Sequence, residues 1–236
     1  MEGDGTITVD KYKNSNTLRV RLVISILNVK GNIEMLQLIQ KYIGGRVSIE
    51  RNNKYVTWIA SNKNDVKFCI SILNKYPLLT VRKQQQLQFA VSCLSNTDIA
   101  NFLKNRDSKY DNDSNVIKIK NHSDISYFGP WLSGFIESEG NFKLILNKNN
   151  FIKTSSFNIG QNNDFNIIEI IKNYFNSNNK ITTDKKINKK GIKHYRVSIT
   201  GPDSRIKIRN HLSLYPLLGN KNISYCNWIS YFFPYN

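Results

Sequence analysis

Polar and apolar residues alternate from Thr6 to Tyr12 and again from Leu18 to Ile26, the period of two expected of strands with one buried face. The period then changes. Ile33, Leu36, Ile39 and Ile43 are three and four residues apart, which gathers them on one side of a helix. Alternation returns over Arg46 to Arg51 and Tyr55 to Ser61, and a second helical stretch leads to Tyr76-Pro77-Leu78-Leu79. The same succession follows once more. Trp131 to Gly140 reads as a helix, with Pro130 in its first turn and Gly140 as its stop. Asn141 to Asn147 and Lys153 to Ile159 alternate, Ile167, Ile170, Ile171 and Phe175 keep helical spacing, and Lys180 to Lys185 and His194 to Thr200 form a further strand pair ahead of Tyr215-Pro216-Leu217-Leu218.

The chain is therefore written twice. Glu2-Gly3-Asp4-Gly5 recurs as Glu137-Ser138-Glu139-Gly140, and the Tyr-Pro-Leu-Leu segment recurs in the same order. The pattern predicts an α+β fold of two pseudo-symmetric α-β-β-α-β-β-α halves, each a four-stranded antiparallel sheet with helices over one face. The halves are expected at 1–103 and 127–236. Between them 104–126 is rich in Asn, Asp, Ser and Lys without sustained period, and reads as a surface linker.

Each strand also declares a free face. Leu18, Val20, Leu22, Ile24 and Ile26 form one set, and Arg19, Arg21, Val23 and Ser25 the other; in the second copy Ser155, Phe157, Ile159, Tyr195, Val197 and Ile199 point inward. This leaves Thr154, Ser156, Asn158, His194, Arg196 and Ser198 outward, with Thr8, Arg46, Arg51, Lys143, Lys180 and Lys185 near the same open faces. Charge gives these faces a meaning. The chain has 34 Lys+Arg against 17 Asp+Glu, a formal net charge of +17, which calls for a polyanionic partner. Arg, Lys, Ser, Thr and Asn on a broad face can hold phosphates and read base edges in a major groove, so double-stranded DNA is the expected partner.

Composition narrows the remaining classes. At 40% hydrophobic and 11% aromatic the chain can bury a core. No apolar run reaches the length of a membrane span, and the acidic start is unlike a signal peptide, so a soluble protein is expected. Cys69, Cys93 and Cys226 are odd in number and lack metal-site spacing, which suggests reduced, buried thiols. Heavy use of Asn, Lys, Ile and Tyr with little Ala points to an AT-rich coding genome, and so to an organelle such as the mitochondrion.

The acids carry the chemistry. Glu139 lies in the last turn of its predicted helix, where the dipole disfavours a carboxylate by about 0.3–1 kcal/mol, and Asp4 holds the equivalent place before Gly5. Brought together, two such acids would bind a divalent cation through oxygen. Acids, cation and duplex-binding surface make a nuclease.

Leu132 to Gly140 (LSGFIESEG) resembles the LAGLIDADG signature, and Glu2-Gly3-Asp4-Gly5 resembles the tail of a second copy beginning at its sixth position. The chain is thus similar to monomeric, internally duplicated LAGLIDADG homing endonucleases over nearly its whole length. The resemblance implies saddle-shaped sheets packed through the motif helices, and site-specific cleavage of double-stranded DNA with Mg²⁺ or another divalent cation held by Asp4 and Glu139. It further implies that Asn28 and Gln161 order water near the scissile phosphate, and that Arg82 and Lys221, five residues after the prolines, enter the active site. Two relatives of this function remain open: an intron RNA maturase, and a structural RNA-binding protein of an organellar ribosome. The incomplete first motif helix keeps both in view.

Overall fold

A computed structural model of the chain describes residues 1–12, 15, 17–95, 98–111, 116–183 and 191–234. These divide into two compact units, Met1–Lys118 and Ile119–Asn236, a boundary inside the expected linker. In the first unit the elements run β1 (Gly5–Lys11), β2 (Leu18–Leu27), α1 (Lys30–Ile43), β3 (Arg46–Glu50), β4 (Tyr55–Ala60), α2 (Lys63–Lys75), α3 (Val81–Ser95) and α4 (Ile99–Asn105). The second opens on a single 3-10 turn (His122–Asp124), followed by α5 (Phe128–Glu139), β5 (Asn141–Leu146), β6 (Ile152–Asn162), α6 (Phe165–Tyr174), β7 (Ile181–Thr183), β8 (His194–Ile199), α7 (Pro202–Leu214) and α8 (Lys221–Ser230). The expected repeat is therefore present. The first unit opens directly on a strand, and in both units a helix follows the Tyr-Pro-Leu-Leu segment.

Each unit folds one antiparallel sheet, in the orders β1-β2-β4-β3 and β5-β6-β8-β7. Alternation sorts the faces as the sequence predicts. Ile7, Val20, Leu22, Val56, Trp58 and Ala60 bury against Leu36, Val66, Cys69 and Ala90 from the helices and Leu78 from the segment between α2 and α3. In the second unit Phe157, Ile159, Val197 and Ile199 meet Phe135, Ile136, Ile167, Ile171 and Trp228, all 1% exposed or less. Even the inward polar residue is satisfied, because the Trp228 indole donates to Ser155 Oγ at 2.9 Å. Burial of such side chains at roughly 1.5–3 kcal/mol each supplies most of the driving force. Cys69 and Cys93 are buried, whereas Cys226 is exposed, against expectation; its helix turns that position to solvent.

The repeat extends to detail. Tyr76 and Tyr215 close α2 and α7 with dihedrals of −125°, 80° and −126°, 79°, each donating its N–H to the carbonyl four residues back at 2.8 Å. The acidic segments are fastened equivalently as well. Glu2 is buried, and its carboxylate accepts from the backbone N–H of Leu79 and of Thr80, the latter at 3.2 Å, and from the Thr80 hydroxyl. Glu137 accepts from the N–H of Gly219 and of Lys221, both at 3.1 Å. A carboxylate here completes donors that a helix start cannot satisfy internally, and it meets the positive end of the dipole of α3 or α8.

Polar contacts also reach into the expected linker. Gln84, Gln85 and Gln86 are consecutive and each 5% exposed. The Gln84 amide pairs with Ile117 in both senses, accepting from its N–H at 2.7 Å and donating to its carbonyl at 3.2 Å. Gln85 donates to the Tyr110 carbonyl at 3.3 Å, and Gln86 to the Tyr110 hydroxyl at 3.0 Å. Residues 110 and 117 are thus part of the first unit's fold.

In the second unit the helices close over His211, 4% exposed. Ser133 Oγ donates to the Tyr215 carbonyl at 2.6 Å, so it accepts from His211 Nε2–H at 3.1 Å; Nδ1 then accepts from the Tyr174 hydroxyl at 2.9 Å. Burial lowers the imidazole pKa from 6.5 to about 4. The folded unit keeps a neutral ring where the unfolded chain would bind a proton, so stability falls as pH drops from about 6.5 towards 4, by an amount approaching 3 kcal/mol. Urea unfolding at pH 7, 5.5 and 4.5 should show that decline, and His211→Gln should flatten it. A second prediction concerns the carboxylate clamps. Glu137→Ala strands two N–H groups at the start of α8 and should cost about 2–3 kcal/mol, while Glu137→Gln, keeping one acceptor, should cost clearly less. Chemical denaturation of the two variants measures the difference.

Candidate nucleic-acid interface and catalytic site

The free face of the second sheet is a concavity of about 550 Å³. Seven of the residues expected there line it: Lys143, Thr154, Ser156, Asn158, His194, Arg196 and Ser198. Asn141 and Thr200 line it too, and were missed because they stand at strand ends where alternation gives a weaker signal. One close approach shapes the surface. A Cβ on Gly160 would lie 2.7 Å from His194 Nε2, so glycine lets the imidazole cross β6, where Nδ1 bonds Asn162 Oδ1 at 3.0 Å.

Register places the matching face in the first unit. Thr8 is opposite Arg21, Asp10 opposite Arg19, Ser25 opposite Thr57 and Arg46 opposite Ile59. Arg21 pairs with Asp10, Arg19 lies 4.8 Å from the Tyr12 ring, and Ser25 Oγ meets Thr57 Oγ1 at 2.9 Å. The acids Asp10 and Glu50 belong to this face as well. Alternation from Thr6 and Thr8 places Asp10 on this face, although its charge is opposite to that of the arginines around it.

Two expectations shift at strand ends. Arg51 is not on the strand; it occupies the β3–β4 turn at φ 53°, with its guanidinium 5.1 Å over the Tyr55 ring. Lys180 immediately precedes β7, at the sheet edge, and is exposed. Lys185 lies outside the described residues.

The acids occupy equivalent junctions. Glu139 is the last residue of α5 and borders the concavity, while Asp4 immediately precedes β1. After each comes a glycine whose carbonyl is bound by a lysine: Lys221 Nζ donates to Gly140 O at 2.7 Å, and Lys83 Nζ donates to Gly5 O. Gly140 is extended, at φ −73° and ψ 149°, so its role is not a left-handed stop. A Cβ there would stand 2.6 Å from Ile136 O, which makes it a close-approach glycine.

This geometry corrects one predicted pair. Lys83, not Arg82, is the structural counterpart of Lys221. Arg82 is exposed, with its guanidinium 5.0 Å over the Tyr110 ring. The first copy has one more residue between its proline and the lysine, so counting from Pro77 stops one position short. The pairing of Asn28 with Gln161 is corrected too. Asn28 N–H bonds Lys54 O and Asn163 N–H bonds Lys193 O, which makes Asn28 and Asn163 equivalent. Ile26 is opposite Val56 as Gln161 is opposite Tyr195, so the first unit has isoleucine where the second has Gln161.

Among the described residues no group of three or more His, Cys, Asp or Glu could hold a metal ion. Each unit instead has one carboxylate, Asp4 or Glu139, at its acid-glycine junction. Such oxygen donors suit a hard cation of the Mg²⁺ or Ca²⁺ type rather than zinc or copper.

Comparison with known proteins agrees with this architecture. A family model described as LAGLIDADG endonuclease matches residues 1–93 and 132–232. The chain is 37% identical to a probable intron-encoded endonuclease aI3 of Dictyostelium citrinum, over 98% of this chain and 92% of that protein. It is 34% identical to a protein of the same description from Debaryomyces hansenii, over 95% of this chain but only 36% of that relative's length. Among solved structures, LAGLIDADG meganuclease I-CpaMI, described as bound to uncleaved DNA, has the same fold at a TM-score of 0.72 and 17% identity, covering 96% of this chain and 86% of that one. With both motif regions matched and a relative of this identity aligned along nearly its whole length, the chain belongs to the LAGLIDADG endonuclease family.

Proposed function

We propose that the chain is a site-specific endonuclease for double-stranded DNA, encoded by an organellar, most simply mitochondrial, intron and dependent on Mg²⁺ or a similar cation. One observation carries the reading: each unit joins a polar sheet face to the same acid-glycine junction, with a lysine bound to the glycine carbonyl. The names of the relatives, intron-encoded endonucleases, support it, as does a net charge of +17.

The residues divide the work. The sheet faces hold the duplex, Arg and Lys on phosphates and Asn, Ser, Thr and His on base edges. Asp4 and Glu139, one in each unit, would each offer carboxylate oxygen to a cation, which would supply Lewis-acid stabilisation and an activated water. Lys83 and Lys221, already tethered beside those junctions, place positive charge where a phosphate gains negative charge during hydrolysis. Gln161 is a candidate to order water in the second unit, a role that Ile26 cannot share.

The reading is tested on a library of randomised duplexes, comparing cutting with Mg²⁺ and with chelator. Asp4→Asn and Glu139→Gln should each abolish cutting while duplex affinity stays within about threefold, since neither acid contributes to the basic grip. Full cutting by both variants, or tighter binding of folded intron RNA than of any selected duplex, would overturn the assignment. The lysine correction gives a second outcome. Lys83→Ala and Lys221→Ala should each slow single-turnover cleavage about a hundredfold, whereas Arg82→Ala should change it little. Equal slowing by Arg82→Ala and Lys83→Ala would return Arg82 to the site.

A further inference from the structure

The two sheet faces share a backbone and differ in chemistry. On β2 of the first unit Arg21 is opposite Thr8, and Arg19 opposite Asp10. On β6 of the second unit the matching places are Ser156, opposite Lys143, and Thr154, opposite Ile145. Two guanidinium groups thus stand on an inner strand in one unit where two short hydroxyls stand in the other.

Both arginines are already restrained. Arg21 is gripped by Asp10, with the two side chains 31% and 38% exposed, and Arg19 lies against Tyr12. Long side chains lose rotamer freedom when they bind, and here much of that loss precedes binding. Each pair is also incomplete. The Nε of Arg19, the Nε of Arg21 and the Thr8 hydroxyl are shielded from solvent without a hydrogen-bond partner among the described residues. An acceptor reaches these atoms only if the side chains turn, so a ligand first meets the rest of each guanidinium.

Of the four bases, guanine offers two adjacent acceptors, O6 and N7, on its major-groove edge, which match the arginine fork. Resting on the DNA reading above, we propose that the first unit specifies guanine at two base positions through Arg19 and Arg21, with Asp10 orienting Arg21. The corresponding positions under the second unit carry no such requirement. Spacing makes the assignment concrete. Residues two apart on a strand are about 6.6 Å apart, near twice the 3.4 Å rise of a base pair, so the two guanines belong about two base-pair steps from each other.

The experiment is selection from randomised duplexes with the full chain under chelation, so that binding is read without cutting. The wild-type consensus should contain two required guanines about two steps apart. Arg21→Gln should convert one of them to adenine, the base a glutamine amide reads, and Arg19→Gln should convert the other, each shifting preference at its own position by about tenfold to a hundredfold. Asp10→Asn should weaken discrimination only where Arg21→Gln acts. The proposal is overturned if the variants keep the wild-type consensus with uniformly weaker binding and a salt slope shallower by about 0.9, the signature of phosphate anchors. A wild-type consensus without the two guanines overturns it equally. If the folded wild-type chain retains no duplex at all, the DNA reading itself fails, and this assignment with it.

Discussion

A carboxylate at the start of a helix organises each unit. Glu2 and Glu137 take up backbone N–H groups 77 to 84 residues further along the chain, and in doing so dock the segment before the first strand against the last long helix. Everything near the site follows from that docking. The glycine three residues on is brought to a lysine on the docked helix, the acid just before that glycine is set at the head of the strand, and the sheet starts in register. The interaction is strong because a charged acceptor meets several amides together with the helix dipole. It is also local enough to be built independently in each unit.

Much of this architecture was legible from periodicity. Strands and helices, their order, the duplication and most of the free face follow from where apolar residues fall, because removing apolar surface from water is the main force behind folding and leaves a period that can be read directly. What escaped reading depended on partners distant in sequence. Gln84, Gln85 and Gln86 look like an exposed polar run, and their burial is explained by partners distant in sequence: the backbone of residues 110 and 117, the Tyr110 hydroxyl and the Ile7 N–H. Nothing in His211 itself declares that Ser133 and Tyr174 will enclose it.

The misplaced site residues share another cause. Arg82 and Asn28 are reached by counting from a landmark, and counting presumes loops of equal length. In the protein, register is set by hydrogen bonds: Lys83 is found by its bond to Gly5, and Asn28 by its bond to Lys54. The acids need no such counting, because Asp4 and Glu139 adjoin glycines that hold the same place in both copies. Arg51 falls to a boundary error, since the strand ends one residue before it and a tight turn begins.

The strict alternation of the sheets has an evolutionary consequence. A residue that faces the duplex stands between neighbours that face the core, so its replacement leaves the packing beneath intact, and exposed changes of that sort usually move stability by no more than about 0.5 kcal/mol. Recognition can therefore drift while the scaffold persists. The exceptions are linked positions such as Ser25 with Thr57, whose hydroxyls bond across two strands. There a single substitution disturbs its companion as well, so acquiring a new target would proceed through paired changes, and in a lineage these positions should covary.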